Sequence, residues 1–224
     1  MYWLQYVQYF AYIAWHWNVS LAWFVLKHEI QGEKKYKVRT TGINELRTQL
    51  KLADWQHASI YQPINFYTAE KLFAKIPLSF RQGAFLDTGC GKGRVLAMAA
   101  HHGFTTIYGI DLAPALCAEA RALATQLVQK FNLSHIEVTC CNASQFEVPP
   151  ATSVIFLFNP FDATVMEPFI TRVLESIAAS KRQLLVLYAN PVHKKLWMEA
   201  GFDEIYYFKK MTYLEGSVLQ YALA

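Results

Sequence analysis

The chain has 224 residues, of which 54% are hydrophobic and 17% charged, enough apolar material for one folded domain with an appendage; this excludes a disordered or linker-like polypeptide. A formal charge of +4, with bases and acids mostly alternating, permits nucleic acid without pointing to it. The four cysteines form no Cys-x-x-Cys pair and have no zinc-finger histidines beside them, so a metal site or disulfide framework is not indicated and a reducing, cytoplasmic compartment fits.

From Met1 to Leu26 there is no charged side chain; Lys27, Lys34, Lys35, Lys37 and Arg39 then follow. The shift divides the chain into an aromatic extension with a basic flank, 1–40, and a domain, 41–224. No charged n-region precedes the apolar run and no small-residue cleavage pattern follows it, unlike a secretory signal. On a helical wheel Gln5, Gln8, Tyr9, Tyr12 and His16 share one face, and Trp3, Val7, Phe10, Ala14 and Trp17 the other. Asn18 and Ser20 are expected to end this helix and cap a second one from Leu21 toward Ile30. Three roles remain open for residues 1–30: lying in a membrane interface, packing on the domain or a twin subunit, or spanning a bilayer once with the domain in the cytoplasm.

A helical lead-in, 41–80, is broken near Ile60-Tyr61-Gln62-Pro63, because proline biases Gln62 away from helix, and resumes as a helix from Asn65 to Lys75. From residue 83 to the end, strands and helices alternate. Strands are expected at Ala84–Asp87, Thr106–Ile110, Ile136–Cys140, Val154–Phe158, Leu184–Tyr188, Glu204–Phe208 and Ser217–Tyr221. Helices are expected at Arg94–His102, Pro114–Phe131, Thr164–Ala179 and Val192–Glu199. The pattern predicts an α/β, doubly wound, mostly parallel seven-stranded Rossmann-like sheet. The last two strands have no helix between them, so one of them should run antiparallel.

In such a sheet the ligand lies beyond the carboxyl ends of the strands. There the first strand ends in Asp87, and Gly89, Gly91 and Gly93 allow a tight turn before a helix opens at Arg94. The second strand closes on Asp111, an acid suited to ribose hydroxyls. A glycine turn alone also suits dinucleotide binders, but here Arg94 stands where their last glycine falls.

Phe-Leu-Asp-Thr-Gly-Cys-Gly-Lys-Gly-Arg at 85–94, with Gly-Ile-Asp at 109–111, resembles motif I and its sequel in class I S-adenosylmethionine-dependent methyltransferases. The resemblance extends from about residue 60 to the end of the chain. It implies that Asp87 with Thr88, Gly89, Cys90 and Gly91 faces the methionine part of S-adenosylmethionine and that Asp111 takes the ribose. Cys141-Asn142-Ala143 stands where these enzymes commonly have Gly-Asp-Ala, so Asn142 and Ala143 are expected at the adenine, with the Asn142 carbonyl oxygen as acceptor. Cys90, Cys117, Cys140 and Cys141 are expected to be small packing residues rather than ligands.

At the end of the fourth strand, Asn159-Pro160-Phe161 resembles the Asn/Asp-Pro-Pro-Tyr/Phe motif of enzymes that methylate planar nitrogens, with one proline missing. The resemblance makes Asn159, Pro160 and Phe161 the acceptor-side residues, with Asn159 also expected to touch the cofactor. Tyr61-x-Pro63 is similar to a loop over the cofactor in the non-SET histone-lysine methyltransferases and related bacterial proteins, which would set Tyr61 over the methionine end. Asp162, Tyr188 and His193 are candidate bases, and Asn190 and Pro191 candidate pocket residues. The expected activity is in-line methyl transfer to an unidentified acceptor, leaving S-adenosylhomocysteine and using no metal. A binding module that performs no transfer is the alternative; a short-chain dehydrogenase lacks its Tyr-x-x-x-Lys here.

Overall fold

The computed structural model describes residues 2–41, 62–158 and 161–223; Tyr61, Asn159, Pro160 and the expected lead-in from 42 to 60 lie outside the described residues. Helices α1 (Tyr2–His16) and α2 (Val19–Tyr36) form an antiparallel hairpin. Asn18 sits at the break, where its Oδ1 accepts from the Leu21 N–H at 2.8 Å and caps α2. α2 continues past the expected end near Ile30, because Glu29, Gly32, Glu33 and Tyr36 are buried against the domain. Its polar sequence disguised that contact. It closes at Lys37, whose φ of 57° lets its N–H reach Glu33 O.

α1 packs through residues of both wheel faces, Tyr9 and the half-buried Tyr12 from one and the half-buried Phe10 and Ala14 from the other. Tyr9 and Ile13 face inward with Leu21, Ala22 and Val25 of α2, and Tyr6 donates its hydroxyl hydrogen to Glu33 Oε2, whereas Trp3 and Val7 face outward. Tyrosine rings supply apolar area and their hydroxyls find acceptors, so a tyrosine seam can form the inner face.

After α3 (Phe66–Phe73), capped by Asn65, and a 3-10 turn at Leu78–Gln82, the alternating part begins. Its elements are β1 (Ala84–Thr88), α4 (Arg94–His101), β2 (Thr106–Asp111), α5 (Pro114–Phe131), β3 (His135–Cys140) and β4 (Thr152–Phe158). They are followed by α6 (Ala163–Ala179), β5 (Leu184–Ala189), α7 (Lys194–Glu199), β6 (Asp203–Lys210) and β7 (Leu214–Tyr221). One 7-stranded sheet has the order β3-β2-β1-β4-β5-β7-β6, in which β7 runs antiparallel to both neighbours. β1 and β5 are buried along their whole length, as expected of strands covered on both faces.

Successive strand residues feed two cores. Phe85, Phe156, Leu187 and Val218 join α3, α4 and α5 on one face; Leu86, Ile155, Val186 and Leu219 join α6 and α7 on the other. The hairpin's own cluster closes on Leu214. Because Gly216 pairs with Ala189, the start of β7 lies at the carboxyl end of β5, so the hairpin packs at the end of the sheet where a ligand is expected.

Candidate active site

β1 delivers Asp87 and Thr88 to the carboxyl edge of the sheet, where Gly89, Gly91 and Gly93 have φ of 81°, 53° and 85°. These are conformations that a side chain resists, so the turn into α4 needs glycines. β2 holds the turn in place: Ile110 O accepts from the N–H groups of Gly89 (2.8 Å) and Cys90 (2.9 Å). Asp111 adds a second clamp, accepting from Gly91 N–H at 2.8 Å through Oδ2 and from Ala113 N–H at 2.9 Å through Oδ1. Each oxygen keeps a lone pair for a further donor.

Asp87 is 2% exposed, and its Oδ2 has no hydrogen-bond partner among the described residues; the Thr88 hydroxyl is in the same position. A buried unpartnered carboxylate oxygen costs free energy unless a ligand satisfies it. Burial, with the charge of Asp111 adding to it, holds the Asp87 carboxyl well above the usual carboxylate range. Burial also raises Asp111, against the opposing bonds from Ala113 and Gly91. The pair therefore favours a cationic or hydrogen-bond-donating ligand above the glycine turn. The Cys90 side chain is buried beside Gly109, where a Cβ would come within 3.1 Å of its Sγ, and burial pushes its thiol up, as fits a packing group.

Asn142 and Ala143 follow β3 at the same edge. Asn142 Oδ1 accepts from Ser144 N–H (3.0 Å) and Ser144 Oγ (2.9 Å), capping a short 3-10 turn that begins at the buried Ala143. The oxygen expected to meet the adenine is engaged locally; the amide's NH2 group remains as a donor.

On the acceptor side, Asn159 and Pro160 lie outside the described residues. Phe161 is 9% exposed and meets Phe169 edge-on at 6.0 Å, in the core beneath α6. Asp162 stands at the N-cap of α6. Tyr188 is fully buried, its hydroxyl accepts from His193 N–H at 3.3 Å, and burial pushes it up to about 12, which makes it unsuited to take a proton at neutral pH. His193 stands at the N-terminal end of α7 without a side-chain capping bond, and Asn190 holds a left-handed turn, φ 49°, with its N–H on Glu215 O. Among the described residues no group of three His, Cys, Asp or Glu is arranged to hold a metal ion.

Arg94 is what the sequence did not reveal. It is 3% exposed, with Nη2 2.8 Å from Glu29 Oε2 and 4.0 Å from Glu33 Oε1. Its Nε donates to Thr40 Oγ1 at 2.7 Å, its Nη1 donates to Ile64 O, and its guanidinium lies 4.2 Å from the centre of the Phe66 ring. The residue that ends the glycine motif thus fastens the N-terminal hairpin and α3 to the turn. The available signal was Glu29 and Glu33, one helical turn apart in an otherwise basic segment.

Residues 85–182 match the sequence profile of a methyltransferase domain family. The fold is the Rossmann-like methyltransferase fold. A putative S-adenosylmethionine-dependent methyltransferase from Listeria monocytogenes superposes with a TM-score of 0.53 at 13% identity, covering 70% of this chain and 97% of that one. An S-adenosylmethionine-dependent methyltransferase from Aquifex aeolicus gives 0.52 at 16% identity, covering 68% and 89%. An RNA methyltransferase from Salinibacter ruber, in complex with S-adenosylhomocysteine, gives 0.50 at 13% identity, covering 71% and 92%. Among curated proteins the sequence finds no match.

Proposed function

We propose that this protein is an S-adenosylmethionine-dependent methyltransferase. The observation that carries the reading is the buried, unpartnered Asp87 Oδ2 above a glycine turn clamped by Asp111. The cofactor supplies an electrophilic methyl group on a sulfonium sulfur, which an acceptor lone pair takes in line while the carbon–sulfur bond breaks. Asp87 answers the cationic methionine end, and Thr88 offers a further polar atom beside it. Asp111 has the spare lone pairs for ribose hydroxyls, and the Asn142 amide donates toward the adenine ring. The chain's contribution to rate is then alignment and exclusion of water, for which no strong base is required.

A nitrogen acceptor is the finer part of the proposal. It rests on Asn159-Pro160 in the sequence, with Phe161 acting as the core residue that anchors the end of β4. Likeness to the non-SET histone-lysine enzymes rests on Tyr61-x-Pro63 alone. Free thiols at all four cysteines support a reducing compartment, and we place the protein in the cytoplasm. Incubation with methyl-labelled cofactor and pools of amine, phenol and carboxylate acceptors tests the assignment. Label should pass to an amine-containing pool; transfer only to oxygen or carbon would overturn the nitrogen part, and no transfer to any pool would contradict the activity.

A further inference from the structure

The outward faces of α1 and α2 carry side chains that a free water-exposed surface does not explain. On α1, Trp3, Val7, Ala11 and Trp15 recur every four residues; Trp3 is 75% and Trp15 88% exposed. On α2, Trp23, Lys27, Ile30 and Lys34 follow one another at helical spacing, all exposed, with Trp23 at 62%. Phe10 touches Trp23, ring centres 4.8 Å apart, and joins the two stripes. The Tyr6–Glu33 bond sets the start of α1 beside the end of α2, the end that carries Lys34. Contiguous apolar faces of this kind mark interaction sites.

The charge pattern selects the partner. The two carboxylates of the hairpin, Glu29 and Glu33, are both buried with Arg94, so the formal charges its solvent face presents are positive: Lys27 and Lys34 on the stripe and Lys37 just beyond, with Lys35 beside them paired to Glu70 of α3. Tryptophan with lysine is the chemistry of a helix lying in an anionic lipid headgroup layer. A second copy docking through the same patch would bring like-charged stripes together, which is unfavourable. A span is ruled out for these helices: α1 has 15 residues, about 22 Å against a core of about 30 Å, and no helix among the described residues is long and apolar enough to cross. We infer that the α1–α2 hairpin docks the protein on the surface of an anionic bilayer.

The test is sedimentation of the full chain with phosphatidylcholine vesicles made with and without phosphatidylglycerol, in low and high salt. Binding is expected to the anionic vesicles only and to fall with salt. The paired exposed substitutions Trp15→Ser and Trp23→Ser should weaken it at least about ten-fold, and Lys27→Gln and Lys34→Gln about five-fold each. Unaltered thermal melting of these variants confirms that the fold is kept. Failure to sediment with anionic vesicles, or equal binding by all variants, overturns the proposal. A concentration-dependent dimer that Trp15→Ser dissociates, with vesicles ignored, assigns the face to a second copy instead. Methyl transfer to a soluble acceptor is unaffected by either outcome, so the proposal and the catalytic reading fail separately.

Discussion

Asp87 combines a cost and a use at one side chain. Its carboxyl is raised in the folded protein, so the fold binds that proton more tightly than the unfolded chain does. The associated stability is complete below the unfolded value of about 3.9 and is lost as pH rises through the elevated folded value. Asp87→Asn should therefore make the cofactor-free protein more stable at pH 7, by about 0.5–2 kcal/mol, and flatten the decline in melting temperature between acid and neutral pH. Parallel pH profiles for the two proteins would contradict this. Arg94 works the other way. Arg94→Met leaves Glu29 and Glu33 buried without their cation and should cost about 3–5 kcal/mol in urea unfolding. Replacing both glutamates as well should recover much of the loss, because the remaining charges then disappear together. A single-variant loss below about 1 kcal/mol would show the cluster to be solvated.

At the scale of elements, close approach and core packing decide. A Cβ on Gly32 would fall 2.1 Å from the Phe66 ring, so α2 reaches α3 only through a glycine. Gly32→Ala, favourable by helix propensity, is expected to destabilise by about 1–3 kcal/mol instead; a neutral or stabilising result would refute that packing. Phe161→Ala should lose about 3–5 kcal/mol while Phe161→Leu keeps both fold and methyl transfer, as fits a core residue; activity lost without stability would return Phe161 to the acceptor pocket. The alternating strands and helices were legible because their apolar runs are short and are punctuated by Asp87-Thr88-Gly89 and similar turns. Leu214-Glu215-Gly216 was missed as the start of β7, since glycine in a strand suggests a break; here it receives Phe208 and Leu72 at close range. Asp87 and Asp111 could be found from their positions at strand ends. The engaged oxygen of Asn142 and the buried network of Arg94 could not, because both depend on partners brought near by folding.

Over the whole molecule, the ties of the N-terminal hairpin to the domain include Arg94 beside the glycine turn, Tyr36 against Phe66 of α3, and Leu214 at the start of β7. A composition boundary near residue 40 is thus bridged by contacts on both sides, and loosening the hairpin is expected to disturb the glycine turn that Arg94 follows. Asp87 and the turn beside it form the proposed S-adenosylmethionine site. Its most direct test is calorimetric titration of S-adenosylhomocysteine and S-adenosylmethionine into the wild-type chain and Asp87→Asn. Single-site binding of both, weakened in the variant by about 1.5–3 kcal/mol, is the predicted result. No binding to the wild type, or equal affinity in the variant, would contradict it.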